Sequence, residues 1–103
     1  MQLTPLILVA TSLVVGAADA QDAQDLLRKH DCYLCHADRE TRTGPAFVEV
    51  AAKYRNNPNA AATLVTVVRK GAHGSGPWPM PPLPQVPSAD ATKMVAYILA
   101  LKD

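Results

Sequence analysis

Two cysteines and a histidine stand within five residues of one another, at Cys32, Cys35 and His36. Two thiols one helical turn apart can each add to one of the two vinyl groups of a haem, and the histidine that follows at once can bind the iron. The C-x-x-C-H spacing therefore predicts one covalently attached haem c, with Cys32 and Cys35 as its anchors and His36 as an axial ligand.

The same cysteines have three other interpretations. A thioredoxin-like redox pair would need a strand before the motif, and no strand-like run precedes Cys32. A structural zinc site usually has four protein ligands, and only His30 and His73 remain to complete such a set. A disulfide between the two cysteines would close too short a loop to restrict the unfolded chain by much.

The first twenty residues have the pattern of a secretory signal. The stretch from Leu6 to Ala18 is apolar except for Thr11 and Ser12, and Ala18-Asp19-Ala20 is a small-x-small cleavage site. The apolar stretch is short for a bilayer span, which needs about 20 residues. We therefore expect a signal peptide over residues 1–20, cleaved after Ala20, and a periplasmic domain over residues 21–103. Because the segment before Leu6 lacks Lys and Arg, an uncleaved anchor is the alternative.

The predicted mature chain is one small domain. Cleavage removes one acidic residue, Asp19, and no basic one, which leaves ten basic and eight acidic residues. This balance shows no basic stripe of the kind that binds nucleic acid, and we expect no membrane contact after cleavage. A core of this size is marginal without a covalent staple, and a bound haem is such a staple.

The apolar spacing predicts an all-α fold of about four helices and no strands. The first helix is expected to start at an Asp22 cap and to run into Cys32, and the second to cover residues 45–54. The third is expected to be capped by Asn57 and to end at Gly71, and the last to begin at a Ser88 cap. The expected apolar faces are Phe47, Val50, Ala51 and Tyr54 in the second helix, Ala61, Leu64, Val65 and Val68 in the third, and Ala91, Met94, Val95, Ile98 and Leu99 in the last.

Six prolines fall between residues 77 and 87, and they exclude helix or central strand there. Met80 lies among them and is the predicted sixth ligand, because a thioether is a soft ligand and the prolines fix the backbone around it. The alternative is a packing methionine in a proline linker. Met94 is expected in the core, and His73 offers a misligated alternative to Met80.

Three further residues are expected to contact the cofactor. Metal-bound histidines usually donate their second N–H to a carbonyl or carboxylate, and the Pro45 carbonyl is the natural acceptor for His36. Arg69 and Trp78 can donate to the haem propionates. The alternatives are a solvated arginine at the end of a helix and a tryptophan that only packs.

Taken together, these motifs resemble the class I mono-haem cytochromes c of the short, periplasmic bacterial type. The resemblance covers almost the whole mature chain and rests on residues 32–36, 44–47, 50–54, 69–71, 79–82 and 94–99. It implies a small all-α globule whose first and last helices cross near the haem, with His36 and Met80 as axial ligands and the Pro45 carbonyl holding His36. Relatives usually place a tryptophan further upstream in the methionine loop than Trp78, which is a departure.

The resemblance also implies a function. Such proteins shuttle single electrons from a quinol-oxidising complex to a terminal reductase or oxidase, and we expect a monomeric carrier and not an enzyme. One alternative is a cytochrome subunit of a larger periplasmic redox enzyme. Another is a ligand-binding haem sensor or a peroxidase, which would need an open sixth position and a distal acid or base that the Met80 loop does not supply.

Overall fold

The computed structural model describes residues 2–5, 17–74 and 78–103, and it is all-α as the sequence predicts. Most of the predicted signal peptide and the loop residues 75–77 lie outside this part of the chain. An isolated antiparallel bridge joins Ala72 and Met80, and the described residues contain no strand. The elements are α1 (Ala17–Lys29), a 3₁₀ turn (Cys32–Leu34), α2 (Phe47–Tyr54), α3 (Ala60–Lys70) and α4 (Ser88–Ala100).

Helix α4 is the centre of the fold, since α1, α2 and α3 all pack against it. The apolar face predicted for α4 is buried at Ala91, Met94, Val95 and Ile98, whereas Leu99 is half-buried. Met94 is therefore a core residue, as the sequence predicts. The pairing of α1 with α4 brings the first and last helices together, in agreement with the expectation drawn from the resemblance.

The main hydrophobic core gathers side chains from three helices and the proline-rich loop. Leu27 of α1, Phe47 of α2 and Val86 of the loop pack with the buried face of α4. Full burial of each such apolar side chain is worth about 1.5–3 kcal/mol. Leu64 of α3 is also buried. Burial of Val86 fixes the far end of the loop that carries Met80.

Helices α1 and α2 begin at other residues than the sequence predicts. Helix α1 starts at Ala17, upstream of Asp22, because the alanines of residues 17–23 favour helix and continue its first turns. Helix α2 starts at Phe47 and not at Pro45, because Ala46 is extended, with φ −60° and ψ 142°, and acts as the cap. The Ala46 carbonyl accepts the first helical bonds, from the N–H groups of Glu49 and Val50.

The cap of α3 lies two residues after its expected position, and the cap of α4 lies one residue before its expected position. Asn57 closes a turn before α3 by accepting the N–H of Asn59 on its side-chain oxygen at 2.8 Å, and the helix follows from Ala60. The cap of α4 is Pro87, whose carbonyl accepts the N–H of Ala91, and Ser88 is already helical. Gly71 ends α3 with φ 79°, as the sequence predicts.

Polar contacts join α1 to α4 at both ends of their interface. His30, just after α1, lies with its Nε2 3.0 Å from Asp90 Oδ2 in the first turn of α4. Lys93 donates to Asp22 at 3.1 Å on the exposed side of the same pair of helices. The His30–Asp90 contact is the better shielded one, with side chains only 11% and 21% exposed. The histidine is thus a structural residue between the two helices.

Asp31 follows His30 in the left-handed conformation, with φ 61° and ψ 22°. Aspartate tolerates this region better than most residues. The change of direction lets the 3₁₀ turn begin at once after α1. No helix in the described part of the chain is both long and apolar enough to cross a bilayer.

Replacing His30 by alanine removes the shielded contact and leaves the Asp90 carboxylate without this partner. We expect His30→Ala to lower the free energy of unfolding of the holoprotein by about 1–3 kcal/mol, measured by denaturant titration. His73→Ala is the matched control, because His73 is exposed, and we expect a change of less than about 0.5 kcal/mol. Equal effects of the two substitutions would show that the contact contributes nothing to the α1–α4 interface.

Candidate functional site

The imidazole of His36 is held by a hydrogen bond to the backbone. Its Nδ1 lies 2.7 Å from the Pro45 carbonyl oxygen, and the backbone N–H of His36 donates to the carbonyl of Cys32, the first residue of the 3₁₀ turn. Because a carbonyl oxygen only accepts, Nδ1 carries the proton of the neutral ring and Nε2 keeps its lone pair. The histidine is therefore in the tautomer that can bind a metal through Nε2.

Gly44 and Phe47 closely bound the His36 ring. A Cβ placed on Gly44 would overlap Cε1, Nδ1 and Nε2 of the ring, so that only glycine fits there. The ring of Phe47 stacks on His36 with a centroid distance of 4.8 Å and an interplanar angle of 20°. The ring thus has little freedom to turn about its long axis.

The loop between His36 and α2 is tied at several backbone positions. Phe47 donates to the Ala37 carbonyl and Val48 to the Asp38 carbonyl, each at 2.9 Å, and Gly44 donates to the Cys35 carbonyl at 2.7 Å. These bonds fix the start of α2 against the residues that follow the histidine. As a result, the Pro45 carbonyl is held at a fixed position relative to the His36 ring.

Cys32 begins the 3₁₀ turn and Cys35 caps its end. Cys32 is half-buried and Cys35 is exposed, and their spacing is closed by a bond from the Cys35 N–H to the Cys32 carbonyl at 3.2 Å. Burial, and then the charge of Asp31, raise the pKa of the Cys32 thiol above its ordinary value. Leu34 beside them is 75% exposed, which leaves an apolar side chain uncovered next to the anchors.

Met80 is half-buried and is held by its backbone. Its N–H donates to the Ala72 carbonyl at 2.8 Å, and its carbonyl accepts the Ala72 N–H at 3.1 Å. Leu83 donates to the carbonyl of Val68 in α3 at 3.2 Å. The methionine loop is therefore tied at Met80 to Ala72, just after α3, and at Leu83 to α3 itself, in addition to the stiffness that its prolines give.

Gly71 is required at the point where the methionine loop crosses the end of α3. Its φ of 79° disfavours any other residue, and a Cβ there would lie 2.6 Å from the Met80 carbonyl oxygen. The sequence identified Gly71 only as the end of α3. Its second task is to let the backbone of Met80 approach.

The two residues expected at the propionates lie at the surface. Arg69 is exposed at the end of α3 and donates through Nη1 to Ser88 Oγ at 3.3 Å. Trp78 is 70% exposed, two residues before Met80. His73 is also exposed.

A chain of side-chain hydrogen bonds lies behind the cysteine motif, and no sequence pattern indicated it. The Tyr33 hydroxyl donates to Asp38 Oδ1 at 2.8 Å, and the Tyr97 hydroxyl donates to Asp38 Oδ2 at 2.5 Å. Gln24 in turn donates to the Tyr97 oxygen at 2.9 Å. Burial, and then the bond to Asp38, raise the pKa of both tyrosines above the ordinary value. Both hydroxyls therefore stay protonated donors at neutral pH.

The donor set at this site fits haem c. Two cysteines stand one turn apart, the imidazole of His36 is bonded at Nδ1 and keeps its Nε2 lone pair, and Gly44 leaves room for the ring. The half-buried thioether of Met80 is a second soft donor on a loop that its backbone bonds hold in place. The sequence identified Phe47 as part of the apolar face of the second helix and Gly44 only among the residues of the resemblance, so their contact with His36 is a finding of the structure.

Comparison with known families agrees with this chemistry. The family described as Cytochrome c matches residues 20–102, which is most of the chain. A cytochrome c-552 of Nitrosomonas europaea is 38% identical over 94 residues, covering 90% of this chain and 91% of that protein. A cytochrome c-551 of Stutzerimonas stutzeri is 37% identical over 101 residues, covering 97% and 96%.

Comparison with solved structures gives the same result. The crystal structure of wild-type Nitrosomonas europaea cytochrome c552 superposes with a TM-score of 0.73 at 38% identity, covering 77% of this chain and 99% of that chain. Sequence motif, family match and fold therefore point to one conclusion. The chain belongs to the cytochrome c family, as a class I member with one covalently attached haem c, and it is an electron-transfer protein and not an enzyme.

Proposed function

We propose that this protein is a soluble periplasmic one-electron carrier whose haem is anchored by Cys32 and Cys35 and ligated by His36 and Met80. The observation that carries the proposal is the hydrogen bond from His36 Nδ1 to the Pro45 carbonyl at 2.7 Å. It leaves Nε2 available to iron and raises the basicity of the ring. When bound, the haem supplies an iron that alternates between the ferrous and ferric states and can pass on one electron.

Rigid ligands favour fast electron transfer, because little has to move when the charge on the iron changes. The His36 ring is bounded by Gly44 and Phe47 and hydrogen-bonded at Nδ1. Met80 is held at its backbone by Ala72. These contacts support the assignment of both residues as axial ligands, and His/Met ligation is the arrangement that raises the potential of cytochromes c.

Trp78 and Arg69 are the proposed donors to the propionates. Trp78 is two residues from Met80 and exposed, so its indole N–H is free to meet a group at the edge of the site. Arg69 is held only by the hydroxyl of Ser88 at 3.3 Å. Both residues would then bind the one charged part of the cofactor.

Export and cleavage after Ala20 complete the proposal. Helix α1 extends from Ala17 across this junction, and Gln21 donates from its side chain to Asp25 at 3.1 Å within the helix. Removal of residues 1–20 would take away only the first turn of α1. Ala23 and Leu27, which are buried, remain to hold α1 against the rest of the protein.

The proposed partners are a quinol-oxidising complex as donor and a terminal reductase or oxidase as acceptor. Short-lived electron-transfer complexes use small interfaces with an apolar centre and a charged rim. Leu34 and Trp78 are exposed large apolar side chains that suit such a centre. The exposed basic side chains that suit a rim are Arg39, Arg42, Lys53, Arg55 and Lys70.

The assignment of Met80 is tested by the optical spectrum of the exported protein and of Met80→Ala. We expect a low-spin c-type spectrum with a weak long-wavelength sulfur-to-iron band in the wild type, and loss of that band in Met80→Ala. Met94→Leu is the matched control, since Met94 is buried in the core and its substitution conserves volume. A band that survives in Met80→Ala and disappears in Met94→Leu would refute the assignment.

The position of His36 is tested by adding one methyl group beneath its ring. We expect Gly44→Ala to displace the ring from the Pro45 carbonyl and to lower the free energy of unfolding of the holoprotein by about 1–3 kcal/mol. Gly74→Ala is the control, because a Cβ at Gly74 would meet nothing within 4 Å. Denaturant titration of the two variants measures the difference, and equal stabilities would mean that the ring is not confined there.

A further inference from the structure

The hydrogen-bonded chain behind the cysteine motif joins four separate parts of the fold. Tyr33 lies between the two cysteines, Asp38 follows the histidine by two residues, Tyr97 is in α4 and Gln24 is in α1. We name this set the tyrosine clamp. All four side chains are half-buried, and the carboxylate of Asp38 accepts both hydroxyls, one on each oxygen. Hydrogen bonds to a charged acceptor are the strong ones.

Tyr33 is further fixed on its other sides. The guanidinium of Arg42 donates to the Tyr33 carbonyl at 3.3 Å, and that of Arg28 lies 5.9 Å from the centre of the Tyr33 ring. The ring itself packs on Phe47, with a centroid distance of 5.9 Å and an angle of 58°. Phe47 in turn stacks on His36.

Two routes therefore run from the clamp to the axial histidine. One passes through side chains, from Asp38 to Tyr33, then to Phe47 and to the His36 ring. The other passes through the backbone, because the Asp38 carbonyl accepts the N–H of Val48 and so holds the start of α2 beside Pro45. Both routes act on the same hydrogen bond, the one between His36 Nδ1 and Pro45.

We propose that Asp38, with Tyr33 and Tyr97, is a positioning element that keeps the His36 ring aligned on the Pro45 carbonyl. Tyr97 anchors Asp38 to helix α4, and Asp38 in turn holds Tyr33 of the cysteine motif in place. The clamp thereby sets how strongly the imidazole donates to the iron. This inference rests on the proposed role of His36 as an axial ligand.

The test follows the His36 Nδ1 proton of the reduced holoprotein by NMR, with the reduction potential as a second readout. We expect Tyr33→Phe and Tyr97→Phe each to speed exchange of this proton by about 3- to 10-fold, as for the loss of one hydrogen bond. Asp38→Ala removes both bonds and should have the largest effect. Asp38→Asn keeps one acceptor and should lie between the wild type and Asp38→Ala.

The potential should rise in the two tyrosine variants, since a weaker Nδ1 bond makes the ring a poorer donor to ferric iron. Tyr54→Phe is the matched control, because Tyr54 lies outside the clamp, and it should leave both readouts at the wild-type values. Leu64→Ala, which opens a cavity in α3, is the control for general loss of stability.

Two outcomes would overturn the proposal. One is exchange and potential in Tyr33→Phe and Tyr97→Phe that match those of Tyr54→Phe. The other is equal acceleration in Leu64→Ala at the same loss of stability, which would make the clamp a contributor to global stability alone. Failure of the proposed function looks different, because the sulfur-to-iron band would then be absent from the wild type itself.

Discussion

The hydrogen bond between His36 Nδ1 and the Pro45 carbonyl organises the region around the haem motif. To offer its carbonyl to the ring, Pro45 has to stay outside α2, so the helix begins two residues later. That start places Phe47 on one face of the imidazole and Gly44 close against the same ring. One backbone acceptor thus decides where a helix starts, which aromatic side chain reaches the site and which position has to lack a side chain.

Helix α4 has the complementary role of a fixed support. It is the helix on which the other three pack, and it also makes polar contacts with α1 and with the loop after the haem motif. A partly buried aspartate is costly unless its oxygens are satisfied. Tyr33 and Tyr97 donate to the two oxygens of Asp38, and the same bonds hold the haem motif against helix α4.

The sequence predicted the elements well where a single local signal decides them. The motif from Cys32 to His36, the core face of α4 and the end of α3 at Gly71 all follow from spacing or residue type. The starts of helices were less predictable, because a proline or asparagine there can either begin the helix or form hydrogen bonds with residues outside it. Pro45 shows this, since its carbonyl serves His36 in place of α2.

Contacts between distant residues were beyond the reach of local patterns. Asp38 and Tyr97 are 59 residues apart, and His30 and Asp90 are 60 apart. No spacing rule connects such pairs, and each residue alone is an ordinary surface type. Only the packing of α1 and of the loop after the haem motif against α4 brings them together, so these contacts became visible only in three dimensions.

Trp78 gives the methionine loop an optical property of its own. It is the single tryptophan of the chain, exposed and two residues from Met80, on a segment that packs on α3 and not within a helix. A haem quenches indole fluorescence by energy transfer over short distances. Because no other residue of the chain carries an indole, emission excited selectively at tryptophan reports on this loop and on its distance from the haem, and the helices contribute nothing to it.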